Sequence, residues 1–140
     1  MYKVIGATKS RAMRVMWMLE ELGQPYDHVP CGPRSDEAKQ YNPSGKIPAK
    51  HSFVFPQEQR VPEIKDSLKA EFARSAAILS DRLDGPFLMG EEVTIPDLLA
   101  THCINWSIGA GFARVDDKLG NWAKSMRDRP AFKAAATREG

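Results

Sequence analysis

Ser10 and Arg11 are the neighbours whose types and position invite chemistry. Ala7-Thr8-Lys9 reads as a polar turn after a short β-prone run, and Ser10 stands where a helix begins. A hydroxyl at that point can donate to an anion. Unpaired backbone N–H groups and the helix dipole favour negative charge in the same place, and Arg11 adds a cation beside it. The plainer role for Ser10 is an N-cap, the commonest explanation of a serine in that position. Thr8 and Tyr2 are weaker sources of the same hydroxyl. The second stretch is Tyr41-Asn42-Pro43-Ser44-Gly45-Lys46-Ile47-Pro48-Ala49. Its two prolines exclude a helix interior and a central strand. X-Pro bonds alone adopt cis at small cost, about 0.5–1 kcal/mol. A cis Ile47–Pro48 bond would turn the Ile47 N–H and C=O outward, where a peptide-like ligand could pair with them. A surface turn with an ordinary trans proline is the alternative.

Other chemistries find little support. The three histidines, His28, His51 and His102, lack metal-ligand spacing, so no zinc site is expected. Cys31 and Cys103 form neither a disulfide framework nor a CxxC redox pair. The 140 residues are 42% hydrophobic and 27% charged, with a net charge of +2 spread along the chain. That suits one ordinary globular domain or two very small ones, and it offers no basic stripe for nucleic acid. No apolar run approaches a membrane span, and the N-terminus has no apolar signal core. A reduced cytoplasmic setting is the expectation.

The elements that position these residues read as follows. Tyr2–Gly6 is a strand. A helix runs from about Arg11 to Leu22 and stops at Gly23. Its apolar face holds Ala12, Val15, Met16, Leu19 and Leu22, widened by Trp17 and Met18, and implies burial on two sides. Tyr26–Val29 is a second strand, and the order suggests a βαβ unit with parallel strands. Ser35-Asp36-Glu37 opens a short helix to about Tyr41. His51–Phe55 is β-prone until Pro56. From Pro62 a long helix reaches Leu83, striped by Ile64, Leu68, Phe72, Ala76 and Leu79.

Thr94 and Asp97 have the spacing of a capping box, and Val93 and Leu98 that of a hydrophobic staple. The helix behind them reaches about Trp106, and Ile108-Gly109-Ala110-Gly111 reads as a loop. Val115, Leu119, Trp122 and Met126 mark another helix, and Arg129-Pro130 starts a last short turn through Phe132 and Ala135. Trp17, Trp106 and Trp122 read as core. His102 reads as a helix-packing residue and Cys103 as a buried small hydrophobe.

Tyr2-Lys3-Val4-Ile5, Lys9-Ser10-Arg11, Leu19-Glu20-Glu21-Leu22-Gly23 and Asn42-Pro43-Ser44-Gly45-Lys46-Ile47-Pro48 together resemble the thioredoxin-like domain of bacterial-type cytosolic glutathione S-transferases. Phe87-Leu88-Met89-Gly90, Thr94-Ile95-Pro96-Asp97 and Arg129-Pro130-Ala131-Phe132 resemble that family's helical domain. The resemblance implies an α/β plus all-α fold: a truncated thioredoxin-like βαβ part over residues 1–49, a junction over 50–60, and a helical C-terminal domain over 61–140. After Ala49 the family has a strand hairpin and a helix opening with a Glu/Asp-Ser pair that holds the glutamyl carboxylate of glutathione. No such pair stands in an equivalent place here, so the chain reads as lacking a contiguous internal segment.

The family's function implies glutathione as co-substrate, no metal, and a small electrophile as acceptor. Catalysis would fall to Ser10, and glutathione binding to Ser10, Arg11, Lys46, Ile47 and Pro48. Homodimerisation, a cytoplasmic location and detoxification are further family traits. The alternative is a non-catalytic or truncated module of the same ancestry, acting through folding or protein interaction. A thiol–disulfide oxidoreductase is disfavoured, since no cysteine stands at the start of the first helix.

Overall fold

A computed structural model of the chain describes residues 1–43 and 64–138. The elements are β1 (Tyr2–Ile5), α1 (Ala12–Glu21), β2 (Tyr26–Val29), α2 (Asp36–Tyr41), α3 (Ile64–Arg82), α4 (Ile95–Gly109), α5 (Asp117–Asp128) and α6 (Pro130–Thr137). The β-prone stretch 51–55 and the Ile47–Pro48 bond lie outside the described residues. Contacts divide the chain into two units, residues 1–60 with 130–140, and residues 61–129.

In the first unit β1 and β2 pair in parallel, with Tyr2 opposite Tyr26 and Ile5 opposite Val29. These are the expected strands in the expected βαβ order. Among the described residues they form a two-stranded sheet. The buried face of α1 differs from the sequence expectation. Ala12, Met13, Met16, Trp17 and Leu19 are buried, while Val15 is 49% and Leu22 61% exposed. The reason is long-range. The expected last short turn is an eight-residue helix, α6, and it packs on α1, with Phe132 meeting Trp17 edge-on at 4.9 Å between ring centres. That contact turns Trp17 inward at the expense of Val15 and Leu22. Edge-to-face aromatic pairs contribute about 0.5–1.5 kcal/mol beyond the area they bury.

Beyond α6, the Arg138 guanidinium stacks 4.1 Å from the Tyr26 ring centre and lies 3.7 Å from the Glu20 carboxylate. The Tyr26 hydroxyl donates to Glu20 at 2.9 Å. The C-terminal end of α1, the first residue of β2 and the chain after α6 are tied together there. Burial, reinforced by the hydrogen bond to Glu20, raises the Tyr26 pKa above its ordinary value.

In the second unit α3 buries Ala76 and Ser80, with Phe72 and Leu79 half-buried and Leu68 exposed. Phe72 meets Phe112 edge-on at 5.6 Å. Leu98 and Ile104 of α4 are buried, as are Leu119, Trp122, Ala123 and Met126 of α5. The indole of Trp122 donates to the Pro86 carbonyl at 3.2 Å. Helix α4 runs one turn past the expected end, so Ile108 and Gly109 are helical rather than looped. Its stop is Gly111, at φ 71°, in the left-handed region that glycine adopts without strain. The N–H of Gly111 bonds the Ile108 carbonyl, and that of Phe112 the Ser107 carbonyl, which satisfies the last turn in a Schellman motif.

Two further expectations are corrected. Cys103 is exposed rather than buried, because it lies off the stripe of α4 that holds Leu98, Thr101 and Ile104. Trp106 is half-buried, its ring 4.7 Å from the buried imidazole of His102 and tilted 53° to it, and the packing role of His102 is as expected. Among the described residues no helix is long and apolar enough to cross a membrane, and no cluster of His, Cys, Asp or Glu could hold a metal ion.

Candidate functional site

The site is built on the link from β1 to α1. At the end of β1, Gly6 sits at φ 132°, a conformation that L side chains rarely adopt. Its N–H donates to the Val29 carbonyl at 3.0 Å, and its own carbonyl lies 2.8 Å from His28 Nε2. Two successive residues of β2 therefore grip the point where the chain leaves the sheet. From Gly6 the backbone turns tightly, and the Ser10 N–H closes the turn on the Ala7 carbonyl at 2.9 Å.

Ser10 follows, 8% exposed, with its Oγ accepting the Ala12 N–H at 3.1 Å. Arg11 already has helical dihedrals (φ −66°, ψ −11°), so capping geometry begins at Ser10 although regular helix starts at Ala12. The bond to Ala12 uses a lone pair of the Ser10 hydroxyl and leaves its proton available, because a hydroxyl both donates and accepts. No acidic residue stands in the first turn of α1. Lys9 is exposed, while Arg11 and Arg14 are half-buried at the same end of the helix. Lys9 and Arg11 flank Ser10 in the chain, Arg14 follows one turn on, and the helix N-terminus adds partial positive charge at the hydroxyl. What this can do chemically is hold an anion, or lower the pKa of an acidic group that becomes one.

Of the residues proposed from the sequence, the structure brings Ser10 and Arg11 together. Lys46, Ile47 and Pro48 lie outside the described residues. Thr8 is half-buried in the turn beside Ser10. Tyr2 is at the other end of β1, exposed, and about 10 Å of strand from Ile5 at the usual rise. His28 was passed over in the sequence because its spacing fits no metal. Its bond to Gly6 depends on strand register, which sets Val4 opposite His28.

The capping box at Thr94 and Asp97 forms as expected. Asp97 is fully buried, and Oδ2 accepts from the Thr94 N–H at 2.8 Å and from the Thr94 hydroxyl at 2.6 Å. Oδ1 accepts from the Leu88 N–H at 2.7 Å. The carboxylate thereby fixes the connector ahead of α4 as well as the helix start.

Residues 10–51 match the family model of the glutathione S-transferase N-terminal domain. A solved beta-class glutathione S-transferase from Sphingomonas chungbukensis superposes with a TM-score of 0.79 at 18% identity, over 99% of this chain and 98% of that one. The fold is that of the glutathione S-transferases. A sphingomonad glutathione S-transferase complexed with glutathione matches with a TM-score of 0.76 at 17% identity, over 96% of each chain. Maleylacetoacetate isomerase from Methylobacterium extorquens AM1, solved with malonate and glutathione bound, matches with a TM-score of 0.70 at 16% identity, over 99% of this chain and 98% of that one. At these identities the likeness to glutathione S-transferases is one of fold. No curated protein matches the sequence. The thioredoxin-like βαβ part followed by helices, expected from the resemblance, is the architecture found.

Proposed function

We propose that the chain binds glutathione and conjugates its thiolate to a small electrophile. The observation that carries this reading is the Ser10 hydroxyl: held by the Ala12 N–H, its proton free to be donated, at a helix N-terminus with no acid in the first turn. A free thiol has a pKa near 8.5, and each unit of depression takes about 1.4 kcal/mol of preferential anion stabilisation. Ser10 O–H donates to the bound sulfur while Arg11 and the dipole supply positive charge. The thiol proton leaves to solvent, the sulfur lone pair forms a C–S bond with the electrophile, and the leaving group departs with its electron pair. Ile47, preceding Pro48, pairs its backbone with the cysteinyl part of glutathione, and Lys46 steadies a carboxylate. Residues 1–49 are the glutathione-binding part and residues 61–140 the helical domain, in a cytoplasmic homodimer with a role in detoxification.

The test is spectroscopic. The thiolate absorbance of bound glutathione should titrate at lower pH than that of free glutathione, and at higher pH in Ser10→Ala than in the parent. An unchanged titration in Ser10→Ala removes Ser10 from the chemistry and leaves it as a cap worth about 1 kcal/mol.

A second reading, a truncated or non-catalytic module, is favoured by one observation of the sequence: after Ala49 no Glu/Asp-Ser pair stands in the place equivalent to the family's. On that reading the absent Glu/Asp-Ser pair costs two charge-assisted hydrogen bonds of about 1.5–3 kcal/mol each, or roughly two to four powers of ten in affinity. Calorimetric titration with glutathione separates the two. Weak binding that strengthens when a family-like hairpin and helix are inserted after Ala49 supports the truncation. Tight binding by the chain as it stands shows that other residues hold the glutamyl end.

A further inference from the structure

We propose that His28 is the positioning residue of the site: through its bond to the Gly6 carbonyl it aims the turn that carries Ser10. The inference rests on the reading of Ser10 given above. Gly6 O has only lone pairs, so the 2.8 Å contact requires a proton on Nε2. Nδ1 is buried and meets no hydrogen-bond partner among the described residues. All the polar chemistry of this imidazole is therefore spent on one carbonyl. The position is otherwise an undemanding one, a half-buried place in a four-residue strand whose neighbours Val4 and Val29 are plain β-formers. A valine there would extend the sheet without burying an unpartnered ring nitrogen. The histidine instead accepts that desolvation in return for a bond to the residue where the chain leaves the sheet.

The carbonyl it holds sets the direction of everything up to the helix. Gly6 has its N–H fixed by Val29 and its C=O fixed by His28, so the peptide plane between Gly6 and Ala7 is clamped at its oxygen. Ala7 then supplies the carbonyl that closes the turn on the Ser10 N–H. Ser10 Oγ in turn meets the Ala12 N–H. Only two hydrogen bonds and one peptide separate the imidazole from the hydroxyl. Releasing the Gly6 carbonyl frees that peptide plane to rotate, and the Ser10 O–H moves off the line to the anion. Transition-state and anion stabilisation by a single donor fall steeply with misplacement on the ångström scale.

Two variants of the full chain test this. His28→Leu keeps bulk and removes the donor, and His28→Gln restores an N–H donor near the place of Nε2. With saturating glutathione, the thiolate titration of His28→Leu should move up by about one pH unit, a tenfold loss of thiolate at fixed pH. His28→Gln should return most of it. Amide hydrogen exchange without ligand reads the same geometry directly. In His28→Leu the Ser10 and Ala12 N–H groups should exchange at least several-fold faster while the Met16 and Leu19 amides stay protected, and His28→Gln should restore both. Unchanged exchange at Ser10 and Ala12 in His28→Leu overturns the positioning role whether or not glutathione binds. A parent chain that fails to ionise glutathione, with the exchange pattern as expected, overturns the reading of Ser10 and leaves the His28 clamp standing. Loss of protection throughout α1 in both variants shows a merely structural histidine and overturns the proposal.

Discussion

At the start of α4 the backbone N–H groups meet a carboxylate that the chain itself supplies, whereas at the start of α1 they meet a hydroxyl and no acid. Asp97 is buried and accepts three hydrogen bonds, two from Thr94 and one from Leu88. Its negative charge is already what the helix N-terminus calls for, so nothing is left to attract a ligand. Ser10 satisfies one N–H with a lone pair and keeps its proton, while Lys9, Arg11 and Arg14 add positive charge. One helix start is closed by its own anion and serves stability. The other is left short of one, and that shortage is what a thiolate can fill.

The comparison breaks most visibly at Asp97. Asp97→Ala removes the helix cap, about 0.5–2 kcal/mol, and leaves the Leu88 N–H without its acceptor, about 1–3 kcal/mol more. Because the bonds share one carboxylate, the two losses overlap, and about 2–4 kcal/mol in urea unfolding is the expected outcome. Thr94→Ala should cost less, since the bond to Leu88 survives, and the double variant should fall short of the sum. Equal stability of parent and Asp97→Ala would show that the carboxylate contributes nothing net. The matching change at the other helix start, Ser10→Ala, should cost only about 1 kcal/mol of stability, because a single cap bond to Ala12 is lost. Its larger effect should be on the titration of bound thiol.

These two starts were legible in the sequence for the same reason. A cap and the residue it serves lie two or three positions apart, so residue order alone brings them together. The helix α2, with Ser35 accepting the Ala38 N–H at 3.2 Å, and the Thr94–Asp97 box are interactions of this kind. What residue order could not supply was the partner on the far side. Val15 and Leu22 fit an apolar stripe yet stay exposed, because α6, about 110 residues away, packs on α1 and covers Trp17 instead. Ile108-Gly109 looked like a loop because glycine weakens a helix, but the real stop is Gly111, whose positive φ closes the Schellman motif. His28 carries no local signal at all. Its bond to Gly6 exists only once strand register is set.

A smaller effect sharpens the contrast at the opposite end of α1. Tyr26 donates to Glu20 and carries the Arg138 guanidinium on its ring. Tyr26→Phe keeps the ring and the stacking but loses the hydrogen bond, for a net cost of about 1 kcal/mol at neutral pH. The pH dependence follows from the raised pKa of Tyr26, caused first by burial and then by Glu20. Ionisation is harder in the folded chain than in the unfolded one. The contribution is therefore complete below the ordinary tyrosine pKa of about 10 and is lost as pH rises through the higher folded value. Unfolding curves of parent and Tyr26→Phe should differ at pH 7 and converge in strong alkali. A gap that widens with pH would reverse the assigned direction.

The smallest effect belongs to a third helix start, that of α5, which combines features of the other two. Asp116 caps it by accepting the Leu119 N–H at 2.9 Å, as Asp97 does for α4, but its carboxylate lies at the surface. The bond to Leu119, helped by the Ser80 hydroxyl, holds the Asp116 pKa below the ordinary carboxylate value. A depressed acid stabilises the folded chain above its unfolded pKa of about 4, and loses that contribution as pH falls through the lower folded value. Solvent screens an exposed group, so the effect should be slight. Asp116→Asn retains a capping oxygen that cannot be protonated in this range. The parent should therefore be marginally the more stable at pH 7, and its thermal midpoint should fall the more steeply below pH 4, so that the two curves meet in acid. Parallel curves across that range would show that Asp116 holds α5 by shape alone. The charge preference of a helix N-terminus would then be expressed only where the carboxylate is buried, at Asp97, or where a ligand brings the anion, at Ser10.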